Sequence, residues 1–312
     1  MPKLKKILSA FLALWLCVML VTFTYTWVSR NWTPSINSEN MSIATAGALV
    51  ISLTGDESYT EVSLNDIIGL ETSDAFVFRQ VSSQDGMNFF WKDFSPTLKE
   101  QPAVFYKIDS SDSHKKDYID TKFCLKLDDS LKGAKYVFIH PETMIECVEE
   151  PADGLYASNA MRISLSYEKE VTTAAGTETI KETVILGNLE DNEGVVNADN
   201  ANTSSLYTGV LNTANGKNEL DATAVGHQTV YGLEYFNCGR SFFDPTLKGE
   251  DQSANYNFIK DPSKALFKIE PGELVWVEMR IWLEGQDENC VKEIAGDKFD
   301  MVLKFDSVMV ES

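Results

Sequence analysis

Alternation of apolar and polar residues is the feature that most constrains the fold of this chain. From Leu274 to Leu283 the odd-numbered positions are all apolar, whereas Glu278 and Arg280 lie among the even-numbered ones. A period of two is typical of a β-strand that has one face against a core. Helical patterns are weak, and only residues 63–70 favour a short helix. Similar or short apolar segments predict further strands at 43–53, 118–127, 134–139, 161–167, 181–186, 265–269 and 298–308.

The spacing of these segments predicts an all-β fold, an elaborated antiparallel β-sandwich. Hydrophobic residues make up 44% of the chain, which is ample for a packed core. We expect one sandwich domain over residues 31–312, or two closely packed β-subdomains within that range. Residues 187–224 are rich in Asn, Asp, Thr and Ser, and they are predicted to form a polar excursion from the domain.

The N-terminal segment predicts export. Lys3, Lys5 and Lys6 precede a long apolar run that ends at Val28, and no acidic residue occurs before Glu39. A helix of about 22 residues at roughly 1.5 Å per residue would cross a hydrocarbon layer of about 30 Å. Residues 1–30 are therefore predicted to be one hydrophobic helix, either an uncleaved signal anchor in the membrane or a cleaved signal peptide. The remainder would lie on the extracellular face of the cell envelope, membrane-anchored or secreted.

The charge balance restricts the partners that we expect. The chain carries a formal net charge of −20, with 47 acidic residues against 27 basic ones. Nucleic acid binding needs a concentrated basic patch, so we predict no nucleic acid partner. The acidic composition suits solubility outside a cell and could also attract divalent cations.

Calcium is the one cofactor that the sequence brings into question. Asp191, Glu193 and Asp199 offer hard oxygen ligands within the polar excursion. Calcium takes six to eight oxygens from a fixed loop, and the loop spacing of an EF-hand is absent here. A solvated acidic loop is therefore the favoured interpretation, and calcium the alternative.

The cysteines leave two interpretations open. Cys124, Cys147, Cys238 and Cys290 follow the N-terminal segment, and an even number in an exported chain permits two disulfides with three possible pairings. Unpaired buried thiols are the other interpretation. The chain has no C-x-x-C motif and its histidines are far apart, so an ordinary zinc site is not predicted.

Exposed aromatic residues are the candidate ligand-binding groups. Trp276 and Trp282 share one face of a predicted strand, about 20 Å apart at roughly 3.3 Å per residue, and Trp91 closes a Phe-Phe-Trp run. These rings could stack on sugars, although packing in a core is the favoured alternative. Neither a G-x-S-x-G nor an H-E-x-x-H motif is present, and nothing selects a catalytic pair among the many carboxylates, so we predict that the chain is not an enzyme.

Both ends of the chain resemble a known group of proteins. Residues 22–29 (TFTYTWVS) resemble the segment that closes the special signal peptides of exported Firmicutes proteins of the TasA/camelysin-like group. Residues 277–285 and 297–305 are similar to the closing strands of such chains. The resemblance implies a jelly-roll-like β-sandwich with a role at the cell surface or in the biofilm matrix, and it implies no catalytic residue.

The predicted function follows from these observations. We expect an exported, non-enzymatic structural protein of the cell surface or matrix, with fibre formation by a donated strand within residues 32–42 as one form of self-assembly. The partners would be the membrane, through the N-terminal segment, and further copies of the chain or other envelope proteins. The alternative is a membrane-tethered adhesin or carbohydrate-binding module.

Overall fold

The computed structural model describes residues 34–71, 75–92, 105–140, 142–150, 156–173, 176–188, 201–212, 219–233, 265–287, 289–290 and 292–309. These residues are mostly β-strand, with few and short helices, which confirms the prediction of an all-β fold. The predicted N-terminal helix lies outside the described residues. Among the described residues, no helix has the length and apolar character needed to span a bilayer.

Sixteen strands and one α-helix lie within the described parts of the chain. The helix is α1 (Leu64–Ile68). The strands are β1 (Ser35–Thr45), β2 (Leu49–Ser52), β3 (Glu61–Ser63), β4 (Val77–Val81), β5 (Phe90–Lys92), β6 (Phe105–Lys107), β7 (Ile119–Leu127), β8 (Lys135–Ile139), β9 (Met144–Cys147), β10 (Met161–Thr173), β11 (Gly176–Gly187), β12 (Ala201–Asn212), β13 (Glu219–Gly232), β14 (Phe267–Ile269), β15 (Leu274–Glu284) and β16 (Lys298–Met309).

Fourteen of these strands form one mixed sheet, and β5 and β6 form a separate two-stranded sheet. The main path runs β12-β13-β11-β10-β15-β4-β1-β16-β8-β14, with β2, β3, β7 and β9 paired to its sides. Three pairs are parallel, namely β1 with β16, β4 with β15 and β11 with β13. The predicted antiparallel arrangement describes most of the strand pairs but not these three, because parallel pairs join strands that are far apart in sequence and leave no local signature.

Strand β4 connects two groups of strands. Its residues Val77–Arg79 pair with β1, whereas Gln80 and Val81 pair with β15. The first strand group contains β1, β3, β8, β9, β14 and β16, and the second contains β2, β7, β10, β11, β12, β13 and β15. Aromatic rings also touch between strands of the two groups that are not hydrogen-bonded to each other. The ring centroids are 5.8 Å apart for Phe123 and Phe305, and 5.2 Å apart for Tyr167 and Phe267. Both groups thus contribute to one buried cluster.

Strand β15 shows how the alternating pattern builds this core. Its odd-numbered side chains, from Val275 to Leu283, are buried in the main cluster. The opposite face is exposed at Trp276 and becomes fully buried at Trp282 and Glu284. The burial arises because Phe89, Ile108 and Tyr118, from the segment that carries β5 and β6, form a second cluster over that end of the sheet.

Most predicted strands are confirmed close to their expected bounds, and the differences are local. The predicted strand 43–53 is interrupted after Thr45, because Gly47 adopts a positive φ of 70° and turns the chain before β2 begins. Strands β10 and β11 are longer than expected, and the helix predicted within 63–70 is α1. Residues 189–200 and 213–218 of the polar excursion lie outside the described residues, and its described remainder includes β12, which pairs with β13.

Candidate functional site

The predicted tryptophans do not form one surface. Trp276 is 39% exposed, and Lys122 Nζ lies 5.1 Å from the centroid of its ring. Trp282 occupies the same face of β15 but is fully buried, with the edge of its ring against Phe89 at 5.2 Å. The residues that cover the far end of the sheet thus remove Trp282 from contact with any external ligand.

Trp91 lies in a stack of three rings. It is the cross-strand partner of Tyr106 in the β5–β6 pair, and their ring centroids are 4.9 Å apart with planes inclined by 25°. His114, from a short 3₁₀-helix (Ser113–Asp117), stacks on the same indole at 4.4 Å and 19°. We call Tyr106, Trp91 and His114 the ring stack. Directly opposed aromatic residues on paired strands commonly pack in this way.

A buried carboxylate orients the histidine of the ring stack. His114 Nδ1 lies 2.6 Å from Asp117 Oδ2, and Arg79 Nη1 donates to Asp117 Oδ1 at 2.8 Å. The side chain of Asp117 is only 3% exposed, and the backbone N–H of His114 is capped by the carboxylate of Asp112. These contacts hold the imidazole plane parallel to the indole and leave Nε2 on the side away from the carboxylate.

The outer ring of the stack is accessible. Tyr106 is 43% exposed, and Trp91 is its ring partner. Trp91 is itself half-buried, because it packs on the second cluster that contains Phe89, Tyr118 and Trp282. Its Nε1 is buried, and no hydrogen-bond partner for it occurs in the described part of the chain. The stack therefore joins a rigid apolar base to an open aromatic surface.

A closed polar cluster lies beside the buried end of β15. Arg162 on β10 and Asp287 after β15 form an ion pair, and both side chains are fully buried. Asn289 supports it by donating its backbone N–H to Asp287 Oδ1 at 2.8 Å, and Arg162 Nη1 donates to the carbonyl of Met161 at 3.0 Å. The pair joins the beginning of β10 to the turn after β15.

Glu284 adds a third buried charged group to this region. Its carboxylate accepts hydrogen bonds from Trp282 Nε1 at 3.0 Å, the Ser83 N–H at 3.3 Å and the Gln286 N–H at 3.1 Å. Burial raises the pKa of Glu284 above its usual range, although these donors and Arg162 oppose the shift. Burial, reinforced by nearby carboxylates, also raises the pKa of the Cys290 thiol. The thiol is therefore protonated at neutral pH, and this cluster is closed to solvent.

A ladder of ion pairs crosses the open half of the same sheet face. Lys181 Nζ and Arg280 Nη2 lie 2.8 and 2.9 Å from Glu278 Oε2, and Arg280 Nε lies 3.1 Å from Asp120, which also pairs with Lys115. The hydrogen bond from Lys181 and the contact with Arg280 lower the pKa of Glu278. Each carboxylate of this ladder is thus paired with two cations, which contrasts with the aromatic surface at Tyr106.

The predicted metal ligands and cysteines have separate outcomes. Asp191, Glu193 and Asp199 lie outside the described residues, and within the described parts no group of three or more His, Cys, Asp or Glu side chains could hold a metal ion.

Cys124, Cys147 and Cys290 are free thiols, so no disulfide joins any two of these three. Cys238 lies outside the described residues. The interpretation as unpaired thiols therefore describes the three cysteines that the structure places.

The sequence did not single out Tyr106 or His114, although one signal was available. Two aromatic runs occur at 89–91 and 105–106, and the residues between them include Pro96 and Pro102, which favour a connecting loop. Pairing those runs would have placed Tyr106 near Trp91. No local pattern predicts the contact between Arg162 and Asp287, because the two residues are 125 positions apart in the sequence.

Comparison with known proteins assigns no family to the chain. No protein-family model matches it, and neither does any curated protein or solved structure. The interpretation of the ring stack therefore rests on its own geometry.

Proposed function

We propose that the chain is an exported, non-enzymatic structural subunit of the cell surface or extracellular matrix, built on a jelly-roll-like β-sandwich. The ring contacts between the two strand groups, together with their common buried cluster, support the sandwich. The basic and apolar N-terminal sequence supports export and a membrane anchor or signal peptide. The observation that carries assembly is the position of β1.

Strand β1 is hydrogen-bonded to other strands along both of its edges. One edge pairs in parallel with β16 from Asn37 to Thr45, and the other pairs with β3 and β4. Ile36, Met41 and Ile43 point into the core and are buried. The carboxylate of Asp300 on β16 also accepts hydrogen bonds from the backbone and side-chain N–H groups of Asn40 at 2.9 and 3.1 Å.

Such a strand can be exchanged between copies of the chain. Its partners β16, β3 and β4 would make the same hydrogen bonds and apolar contacts with a β1 from a neighbouring molecule, so little intrinsic energy separates the two arrangements. The predicted donor segment, residues 32–42, overlaps β1 over residues 35–42, which is most of the strand. Donation from each copy to the next would build a fibre without any new interface chemistry.

Mixed variants that each carry one added cysteine test this assembly, and the unsubstituted chain, treated in the same way, reports any link between its own five cysteines. Ser42 and Val302 are aligned partners in the β1–β16 pair, and both are half-buried. Full-length chains carrying Ser42→Cys are mixed in denaturant with chains carrying Val302→Cys, refolded together and oxidised. Strand donation predicts a covalent dimer on a non-reducing gel, because the two cysteines meet only when β1 of one chain pairs with β16 of another.

Two controls define the result. The double variant Ser42→Cys/Val302→Cys must close within one chain, which establishes that the geometry permits the bond. A mixture of Glu170→Cys and Thr179→Cys, aligned partners in the β10–β11 hairpin, reports random collision between exposed cysteines. A mixed Ser42/Val302 sample that links no more than this control would exclude donation by β1.

The alternative function, a membrane-tethered adhesin or carbohydrate-binding module, draws on different residues. A platform formed jointly by Trp276 and Trp282 has no support, since Trp282 is buried and Trp276 is covered in part by Lys122. The ring stack, where three rings pack together and Tyr106 is 43% exposed, offers a different aromatic surface.

A further inference from the structure

We propose that the open face of Tyr106, backed by Trp91 and His114, is a binding platform for a neutral pyranose ring of an oligosaccharide. Tyr106 and His114 belong neither to β1 nor to a strand that pairs with it, although Arg79 on β4, an edge partner of β1, supports His114 through Asp117. The platform would give a surface protein a means of holding glycan while its sheet serves assembly.

The rigidity of the stack is the first argument. An aromatic side chain that must order itself on binding loses conformational entropy, whereas a ring already held by neighbours does not. Tyr106 is held by Trp91 at 4.9 Å, Trp91 by His114 at 4.4 Å, and His114 by the buried Asp117 and its partner Arg79. The exposed ring is thus the outermost member of an ordered series that begins at the buried carboxylate of Asp117.

Unused polar groups beside the platform are the second argument. Ligand sites combine an aromatic surface with a few placed hydrogen-bonding groups. His114 Nδ1 is occupied by Asp117, while no bond to Nε2 occurs among the described residues. The indole Nε1 of Trp91 is buried and unpaired in the same set. That donor is closed to solvent, so His114 Nε2, on a side chain that is 34% exposed, is the group available to a ligand hydroxyl.

Charge selects the class of ligand. A chain with a net charge of −20 disfavours nucleotides, acidic polysaccharides and other anions. Two cationic groups close to the stack are already paired with carboxylates, Arg79 with Asp117 and Lys115 with Asp120. A neutral ring with an apolar C–H face and hydroxyl groups at its edge matches both the aromatic surface and the hydrogen-bonding groups at its rim.

Calorimetric titration of the full-length chain tests the platform. The protein is kept in a detergent without a sugar headgroup and titrated with cellohexaose, chitohexaose, xylohexaose and maltohexaose. At least one of these neutral glycans should bind, and Tyr106→Ala should weaken that binding about tenfold or more, the equivalent of one lost ring contact of about 1.4 kcal/mol. Tyr106→Phe keeps the ring and should retain binding.

Trp276→Ala is the matched control, because Trp276 is an aromatic residue of similar exposure on another surface. Its substitution should leave glycan affinity unchanged. The proposal would be overturned if no glycan binds the native chain, if Tyr106→Ala binds as tightly as the native chain, or if Trp276→Ala alone abolishes binding. Circular dichroism of Tyr106→Ala and light scattering of every sample separate loss of the site from unfolding and from any change in assembly.

Discussion

At the scale of single residues, burial decides what each charged group can do. The Arg162–Asp287 pair is shielded completely from solvent, so removing either partner would leave an uncompensated charge in the interior. Exposed pairs such as Lys181–Glu278 contribute at most about 1 kcal/mol, because solvent and salt screen them. Ion pairs of the same residue types are therefore important to the stability of the fold where they are buried, and contribute little where they are exposed.

Glu284, at the buried end of β15, makes the free energy of unfolding depend on pH. Its pKa is raised in the folded chain, so the native state binds the proton more tightly than the unfolded state. The resulting stabilisation is fully present below the unfolded pKa and is lost as pH rises through the folded pKa. We expect Glu284→Gln, which imitates the neutral acid, to remove this decline in the free energy of unfolding. Denaturant unfolding of the two proteins between pH 4 and pH 8 measures the difference.

Glu278→Gln is the matched control for this prediction. Lys181 and Arg280 lower the pKa of Glu278, so its stabilisation is present above the unfolded pKa and is lost as pH falls through the folded pKa. The two substitutions should therefore change the pH profile in opposite directions. Glu278 is well exposed, and its effect should be the smaller one. Profiles that shift in the same direction would refute the assignment of a raised pKa to Glu284.

At the scale of elements, the β10–β11 hairpin extends beyond the sheet that supports it. β10 pairs with β15 only as far as Tyr167, and β11 pairs with β13 only at Leu186 and Gly187. The hairpin nevertheless continues in register from Glu168 opposite Lys181 to its tip. We call the part of the hairpin that extends from Glu168 and Lys181 to its tip the arm. Within the described residues, the two strands of the arm pair only with each other. A two-stranded hairpin is marginally stable in water, so the arm adds little to the stability of the whole.

Shortening the hairpin tests this description. Replacing residues 170–179 with Asn-Gly keeps the part of β10 that pairs with β15 and removes only the arm. The free energy of unfolding should change by less than about 1 kcal/mol, since few buried contacts are lost. Chemical denaturation supplies the measurement. A loss of several kcal/mol would mean that the arm is integral to the core.

The same elements show what local sequence can predict. β7 and β15 carry alternation strong enough to specify both their bounds and their buried face. The length of β11 was missed because its first half, beginning at Gly176, is exposed and has no apolar stripe. The parallel pairing of β1 with β16 was missed because it joins opposite ends of the described chain, and no local pattern encodes such a contact.

The candidate site, like the fold, could be predicted from the sequence only in part. An aromatic residue such as Trp91 can be recognised from sequence, but its exposure depends on which strand lies opposite it. Trp276 and Trp282 have the same strand face and very different surroundings, because the segment containing Phe89 and Tyr118 folds over only one of them. The orientation of His114 by Asp117 and Arg79 depends on tertiary contacts as well.

At the scale of the whole molecule, the functions proposed here use separate regions. Assembly would depend on β1 and the strands at its two edges, whereas glycan would bind at Tyr106 on the two-stranded sheet. The closed cluster around Arg162 lies at the end of the second strand group. Arg79 on β4 belongs to both regions, because it also supports His114 through Asp117, whereas Tyr106 and the residues of β16 each belong to one. A substitution at Tyr106 or on β16 should therefore leave the other region measurable.

The net charge of the whole chain leads to a prediction about assembly. Every copy carries a formal charge of −20, so neighbouring subunits repel one another. Raising the ionic strength from 0.01 to 0.15 M shortens the Debye length from about 30 to about 8 Å. Strand donation depends on backbone hydrogen bonds and apolar side chains such as Ile36 and Ile43, which this screening does not weaken. The assembled fraction should therefore rise with salt, as sedimentation of the full-length chain would measure, while sucrose at equal osmolality should not reproduce the salt dependence. A fall in assembly with added salt would instead identify ion pairs between subunits as the main attraction, and would count against β1 as the joining element.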